Sequence, residues 1–328
     1  MSPEPDRSIE TLIRLAGERE MPSEPATRRA RIAAEESWRR MLANRPATRT
    51  RFRLPLALAA ALGLGILAFY SWKPRDISQP PMVLARVVAL HGAATLQASG
   101  TETAVAPAAD VMSGTVLATG DGRVAVSFAD ALSLRLDRDT RLRFDGHERV
   151  TLLQGALYVD SGGLNVGPPL TIATPAGEVR HVGTQFQVRV SGGITEIRVR
   201  EGRVALRRAS DEDARMVAAG DQLEIRGNEE RWQHGLASFG ADWEWSTSVT
   251  PALAIEDRPL AEFLAWTARE HGWQLHYSNE VLQQRTLEIR LHGSLDGLET
   301  DAMLERVAMV TGIPLMAGEG VLWVGGRQ

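Results

Sequence analysis

The sequence predicts a multidomain membrane protein. A short α-helical cytoplasmic segment leads into one transmembrane helix. An all-β extracytoplasmic domain of solenoid or sandwich type follows, then a small C-terminal α+β domain with duplicated βαβ-like halves. Three observations carry this expectation: one uncharged apolar window at Leu54–Trp72, a long run of alternating strands with no helix between them, and two helix–strand units repeating at an offset of 40. The 328 residues accommodate two or three modules. Hydrophobic residues at 44% and charged residues at 24% fit a folded chain rather than a disordered one. The absence of Cys excludes disulfide scaffolds, Cys-ligated zinc or iron–sulfur sites and a thiol nucleophile. A net charge of −4 argues against direct nucleic-acid binding, although the basic residues are all Arg apart from Lys73.

The 19 residues of the apolar window, as a helix, span roughly 28 Å, close to the ~30 Å hydrocarbon core of a bilayer. A cleaved signal peptide would lie nearer the start, whereas 53 residues precede this segment. Phe69, Tyr70 and Trp72 close it as an interfacial aromatic belt would. Residues 39–53 hold six Arg and no acid, so the positive-inside rule places the N-terminus in the cytoplasm. Residues 1–53 carry a net +4 and the remainder a net −8. The expectation is a single-pass protein.

Residues 1–53 read as two short helices. Ser8 caps the first, where Ile9, Leu12, Ile13 and Ala16 recur at helical spacing. The second runs from about Thr27 to Ala43, with Ala30, Ala34, Trp38, Met41 and Leu42 on one face. Two such helices bury little apolar surface by themselves. They either lie on the membrane or complete their core by gripping a partner. Residues 73–82 form a Pro-punctuated linker.

Residues 83–232 read as one all-β domain of short strands, among them RVAVSF, LSLRL, RVTLL, FQVRV, TEIRVR and RVALR. Gly-containing turns are expected at Asp121-Gly122, Gly162-Gly163, Ser191-Gly192-Gly193 and Glu201-Gly202. Residues 233–251 form a connector in which Trp243 and Trp245 alternate like a strand edge, packing at the domain junction or meeting a sugar or partner. Within residues 252–328, helices are expected at Pro259 to His271 and Leu298 to Thr311. Strands are expected at Trp273 to Tyr277, Thr286 to Leu291, Ile313 to Met316 and Val321 to Val324. Phe263-Leu264, Ala268, Gly272 and Leu275 match Met303-Leu304, Ala308, Gly312 and Leu315. Each Gly stands where a helix needs a left-handed C-cap.

The order of elements, with Thr174-Pro175-Ala176-Gly177, Gly183-Thr184-Gln185-Phe186-Gln187-Val188, Ile197-Arg198-Val199 and Gly202-Arg203-Val204, resembles the FecR family of transmembrane anti-sigma regulators. Gly155-Ala156-Leu157-Tyr158-Val159 fits the same pattern, and the C-terminal duplication looks like the short N-terminal domain of secretins and TonB-dependent receptors. The resemblance implies an inner-membrane, single-pass signal transducer with a periplasmic C-terminus. Its implied partners are an extracytoplasmic-function sigma factor, the signalling domain of a TonB-dependent outer-membrane receptor, and envelope proteases that release the sigma factor by periplasmic and intramembrane cleavage. It assigns sigma binding to Ile9, Leu12, Ile13, Trp38 and Leu42, and implies no cofactor. Some relatives cleave themselves at the dipeptide corresponding to Gly183-Thr184, through the Thr hydroxyl; otherwise Gly-Thr is a tight bend entering a strand. A membrane-anchored periplasmic interaction protein, binding an envelope polymer or secretion component, is the alternative.

No site for an external substrate is legible. Strand alternation puts His181 on the face of Gly183, not of Thr184. His271 and His276 straddle a helix–strand junction and His292 is isolated, so no metal site is expected. Asp137, Asp139 and Asp145 read as solvated turn residues.

Overall fold

The computed structural model describes residues 82–129, 132–162, 170–208, 211 and 213–326. The two cytoplasmic helices, the Leu54–Trp72 span and the linker up to residue 81 lie outside the described residues. Among the described residues, no helix is long and apolar enough to cross a membrane.

Fifteen strands come first: β1 (Val83–His91), β2 (Ala94–Ala98), β3 (Thr101–Ala104), β4 (Asp110–Met112), β5 (Val116–Thr119), β6 (Arg123–Phe128), β7 (Leu132–Leu136), β8 (Thr140–Gly146), β9 (Arg149–Asp160), β10 (Thr171–Thr174), β11 (Gly177–Ser191), β12 (Ile194–Arg207), β13 (Arg215–Ala218), β14 (Asp221–Arg226) and β15 (Glu229–His234). They form one hydrogen-bonded system whose main path runs β15-β14-β12-β11-β10-β9-β7-β6-β1-β4, with β2, β3, β5 and β8 branching from β9 through β8. β9 is the hub. Its first half pairs with β8 and, in parallel, with β10, whereas its second half pairs with β7 and β11. Alternation supplies the core: Val124, Val126, Phe128, Leu134, Leu136, Leu157, Val159, Phe186, Val188, Ile197 and Val199 all point into one apolar cluster.

The long strands carry bulges where the sequence suggested breaks. Glu201-Gly202 is not a turn, because β12 runs through it while pairing with β11 on both sides. Val182 opposes Arg203 and Gln185 opposes Glu201, so Gly183 and Thr184 together face only Gly202. Close approach explains that glycine. A β-carbon on Gly202 (φ +77°) would sit 2.4 Å from the Gly183 carbonyl oxygen and 2.7 Å from Thr184 Cγ2.

The C-terminal part contains α1 (Ala241–Thr247), β16 (Arg258–Pro259), α2 (Leu260–His271), β17 (Gln274–Tyr277), α3 (Glu280–Glu288), β18 (Arg290–Leu291), α4 (Thr300–Thr311), β19 (Leu315–Gly318) and β20 (Val321–Val324). Leu260, Phe263, Leu264 and Ala268 bury one face of α2 against Leu304, Val307, Ile313, Leu322 and Val324. Gly272 and Gly312 end α2 and α4 in the left-handed conformation, with φ 66° and 69°. The two helix–strand units reach β20 differently: β17 lies parallel to it and β19 antiparallel.

Two expectations fail here. The segment expected as a strand from Thr286 is the end of α3, which Asn279 starts by accepting the Leu282 N–H at 2.8 Å. Thr286 is fully buried on that helix, and the strand is confined to Arg290–Leu291. Trp243 and Trp245 stand on α1, not on a strand edge.

Gly202→Ala and Gly192→Ala separate strain from collision. Gly192 is also left-handed, at φ +56°, but a β-carbon there meets nothing within 4 Å. Chemical denaturation should show a loss of about 1 kcal/mol for Gly192→Ala and about 2–4 kcal/mol for Gly202→Ala. Equal losses would mean the bulge relaxes freely.

Candidate functional site

The outward face of the central strands is polar in sequence, yet it is not solvated. Arg135, Tyr158, Gln187 and Arg198 stand side by side on β7, β9, β11 and β12. α1 and α2 cover much of this row. Tyr158 is fully buried and meets Trp243 and Trp245 edge-on, at ring-centre distances of 6.1 and 6.5 Å. Trp245 Nε1 donates to Gln187 Oε1 at 2.7 Å, and Trp243 Nε1 to the Ala237 carbonyl at 2.9 Å. Arg135 lies over the Tyr158 ring and Arg200 over Trp243, both at 5.2 Å. The two tryptophans therefore pack at the domain junction.

Charge is buried in this seam. The Arg135 side chain is 1% exposed and forms a two-pronged pair with Glu270 of α2, at 2.8 and 3.0 Å. It also donates to the Ser246 carbonyl and to Thr250 Oγ1, which in turn donates to Glu270. Burial alone would lower the Arg135 pKa, but the Glu270 carboxylate holds it above the usual arginine value. Arg200 donates to the Ser238 and Glu270 carbonyls and to the Tyr158 hydroxyl. Burial pushes the Tyr158 phenol up to about 12.

A second cluster lies at the ends of β9, β11 and β12. Asp160 opposes Gln185, and Gln185 opposes Glu201. Asp160 accepts from Gln185 Nε2 at 2.9 Å, from the Gly162 N–H at 2.8 Å and from Arg269 of α2. Arg269 also pairs with Glu201. Burial raises the Asp160 carboxyl, but Arg269, Gln185 and Gly162 together hold it below the ordinary carboxylate value.

Gly183 and Thr184 sit next to this cluster. Gly183 has φ +58°, and Thr184 is 1% exposed. The Thr184 N–H donates to Ser161 Oγ at 2.9 Å, while the Ser161 N–H and Oγ both donate to the Thr184 carbonyl. Thr184 Oγ1 is buried and makes no hydrogen bond among the described residues. His181 is buried as well. It stacks on Phe186 at 6.2 Å, opposes Val204, and neither ring nitrogen finds a partner among the described residues.

The other signature residues shape the β10–β11 hairpin. Thr174 Oγ1 donates to the Gly177 carbonyl at 2.8 Å, and a β-carbon on Gly177 would meet the Arg207 oxygen at 2.4 Å. Pro175 lies in the turn between the two strands, and Phe186 is in the core. Ile9, Leu12, Ile13, Trp38 and Leu42 lie outside the described residues. Asp137 is no solvated turn residue: Arg123 and Arg189 both pair with it. His271 stacks on Trp273 and bonds Thr300, and no group of three potential metal ligands occurs among the described residues. Sequence reasoning missed Arg135, Asp160, Gln185, Arg200, Arg269 and Glu270. For Arg135, Gln185 and Arg200 the one signal was Arg and Gln on the polar phase of core strands, which reads equally as a solvated face; Asp160, Arg269 and Glu270 gave none.

Residues 114–205 match the model of the family described as FecR protein. Two crystal structures of a candidate anti-sigma factor from Parabacteroides distasonis ATCC 8503 align with the chain at 16% identity. One alignment covers 65% of this chain and 99% of the other with a TM-score of 0.33; the second covers 64% and 97% with a TM-score of 0.32. Scores this low do not establish a common fold. Comparison with curated proteins gives no match.

His181 sets a pH test. Burial holds its folded pKa below the ordinary imidazole value, so the unfolded chain takes up the proton first. Its contribution to stability is complete above about pH 6.5 and is lost as pH falls from there through the folded value. Asp160, whose folded pKa is depressed, acts only at lower pH, around and below about 3.9. Melting curves between pH 7.5 and 5 should therefore fall less steeply for His181→Phe than for the natural chain; parallel slopes would contradict the assignment.

Proposed function

We propose that this chain, which carries a FecR domain at residues 114–205, is a single-pass inner-membrane anti-sigma regulator. The observation that carries the reading is the domain match, which contains Thr174–Gly177 and the Gly183–Val188 segment. The uncharged window Leu54–Trp72 and the six Arg preceding it support an N-terminus in the cytoplasm. There, Ile9, Leu12, Ile13, Trp38 and Leu42 bind an extracytoplasmic-function sigma factor. The C-terminal domain receives the signalling domain of a TonB-dependent outer-membrane receptor. In support, β17 and β19 each pair only with β20, leaving both edges of the small sheet open among the described residues. Envelope proteases then cut the periplasmic part and the span, freeing the sigma factor.

Self-cleavage at Gly183-Thr184 belongs to the same reading. Thr184 Oγ1 attacks the Gly183 carbonyl carbon, the Gly183–Thr184 C–N bond breaks, and the amine nitrogen takes the hydroxyl proton. Water hydrolyses the resulting ester, leaving a Gly183 carboxylate and a free Thr184 amine and hydroxyl. The buried Thr184 hydroxyl, which has no hydrogen-bond partner among the described residues, supports this step.

Two measurements check the proposal. Tagged full-length protein, captured from detergent-solubilised native membranes, should bring down one sigma factor by mass spectrometry, with recovery falling about tenfold or more for Trp38→Ala. Recovery of envelope components without a sigma factor would favour a periplasmic interaction protein. Purified chain should separate into two fragments, the second beginning at Thr184, and Thr184→Ala should stay intact; an intact natural chain after long incubation excludes the step.

A further inference from the structure

Every contact that brackets the Gly183–Thr184 peptide has a neighbour that leads to the C-terminal domain. Ser161, just after β9, holds the dipeptide through the Thr184 N–H, and Gly202 closes on it from β12. Asp160 precedes Ser161, Gln185 follows Thr184 and Glu201 precedes Gly202. These three residues oppose one another across β9, β11 and β12. Arg269, in the last turn of α2, spans the row: one end of its guanidinium pairs with Asp160 and the other with Glu201. The middle residue is tied in as well, since Gln185 Nε2 donates to Asp160 Oδ2 at 2.9 Å.

We infer that Arg269 is a positioning residue for the Gly183–Thr184 peptide, so that docking of the C-terminal domain holds the bulge in the geometry of self-cleavage. The inference rests on the self-cleavage reading above. Its physical basis is lateral. The backbones of Asp160 and Glu201 stand on either side of one strand, about 10 Å apart; their carboxylates, which meet the same guanidinium, are closer than that and repel well within a Debye length. A planar fork between them cancels the repulsion and fixes the spacing of the outer strands. That spacing sets how tightly Ser161 and Gly202 press on the bulge. The next residue of α2, Glu270, holds Arg135. A receptor that shifts α2 therefore loosens the seam and the bulge together, which gives the C-terminal domain a mechanical route to the cleavage site.

The test uses the purified full-length chain in detergent and reads two quantities. Hydrogen–deuterium exchange across residues 183–188 should rise about tenfold or more in Arg269→Ala, with Arg269→Lys between it and the natural chain, while β14 exchange stays unchanged as evidence of a folded β domain. Appearance of the fragment beginning at Thr184 should slow about tenfold or more in Arg269→Ala. Unchanged exchange at residues 183–188 in Arg269→Ala overturns the positioning role, whatever the cleavage rate. If exchange rises but the natural chain yields no fragments, the self-cleavage reading falls and the hold of Arg269 on the bulge stands.

Discussion

A guanidinium with 1% of its side chain exposed must find its counter-charge inside the protein, and Arg135 of β7 finds it in Glu270 of the C-terminal helix α2. Desolvating both ions costs several kcal/mol each. That cost is met only with Glu270 in place, with Ser246 and Thr250 completing the hydrogen bonds. The pair joins the β sheet to α2. This one constraint fixes where α2 lies on the sheet, and the positions of the neighbouring groups follow. Trp243 and Trp245 close over Tyr158, Arg200 reaches the end of α2, and Arg269 lands on Asp160 and Glu201.

The seam thus makes the outer face of β7, β9, β11 and β12 an interior. It also gives the Gly183–Thr184 bulge a structural context. A bulge with a left-handed glycine is tolerated in many sheets as a bend. Here it is pressed between Ser161 and Gly202, and the row beside it is tied to α2. The C-terminal helix α2 is part of what surrounds the bulge.

The apolar phase of the strands was readable, because alternation in RVAVSF, LSLRL and TEIRVR maps onto the core side chains they bury. The helix C-caps at Gly272 and Gly312 were readable for a similar reason, a single residue type answering a single backbone need. The polar phase was not. Arg135 and Gln187 look the same in sequence whether water or another domain covers them, and only tertiary contact decides. Thr286-Leu-Glu-Ile-Arg alternates like a strand but follows an Asn279 cap, and the helix prevailed because Thr286 is buried on its inner side. Gly183 and Thr184 themselves were picked out by family resemblance rather than by any pattern of spacing.

A double-mutant cycle between Arg135 and Glu270 tests the central claim most directly, using Leu at each position and chemical denaturation of the full chain. If the pair holds the domains together, each single variant strands one buried charge and loses about 3–5 kcal/mol. The double variant then lies closer to the natural chain than either single one, with a coupling energy of several kcal/mol. Additive losses, or single variants within about 0.5 kcal/mol of the natural chain, would mean that the domains do not depend on this pair and that α2 is free to leave the sheet.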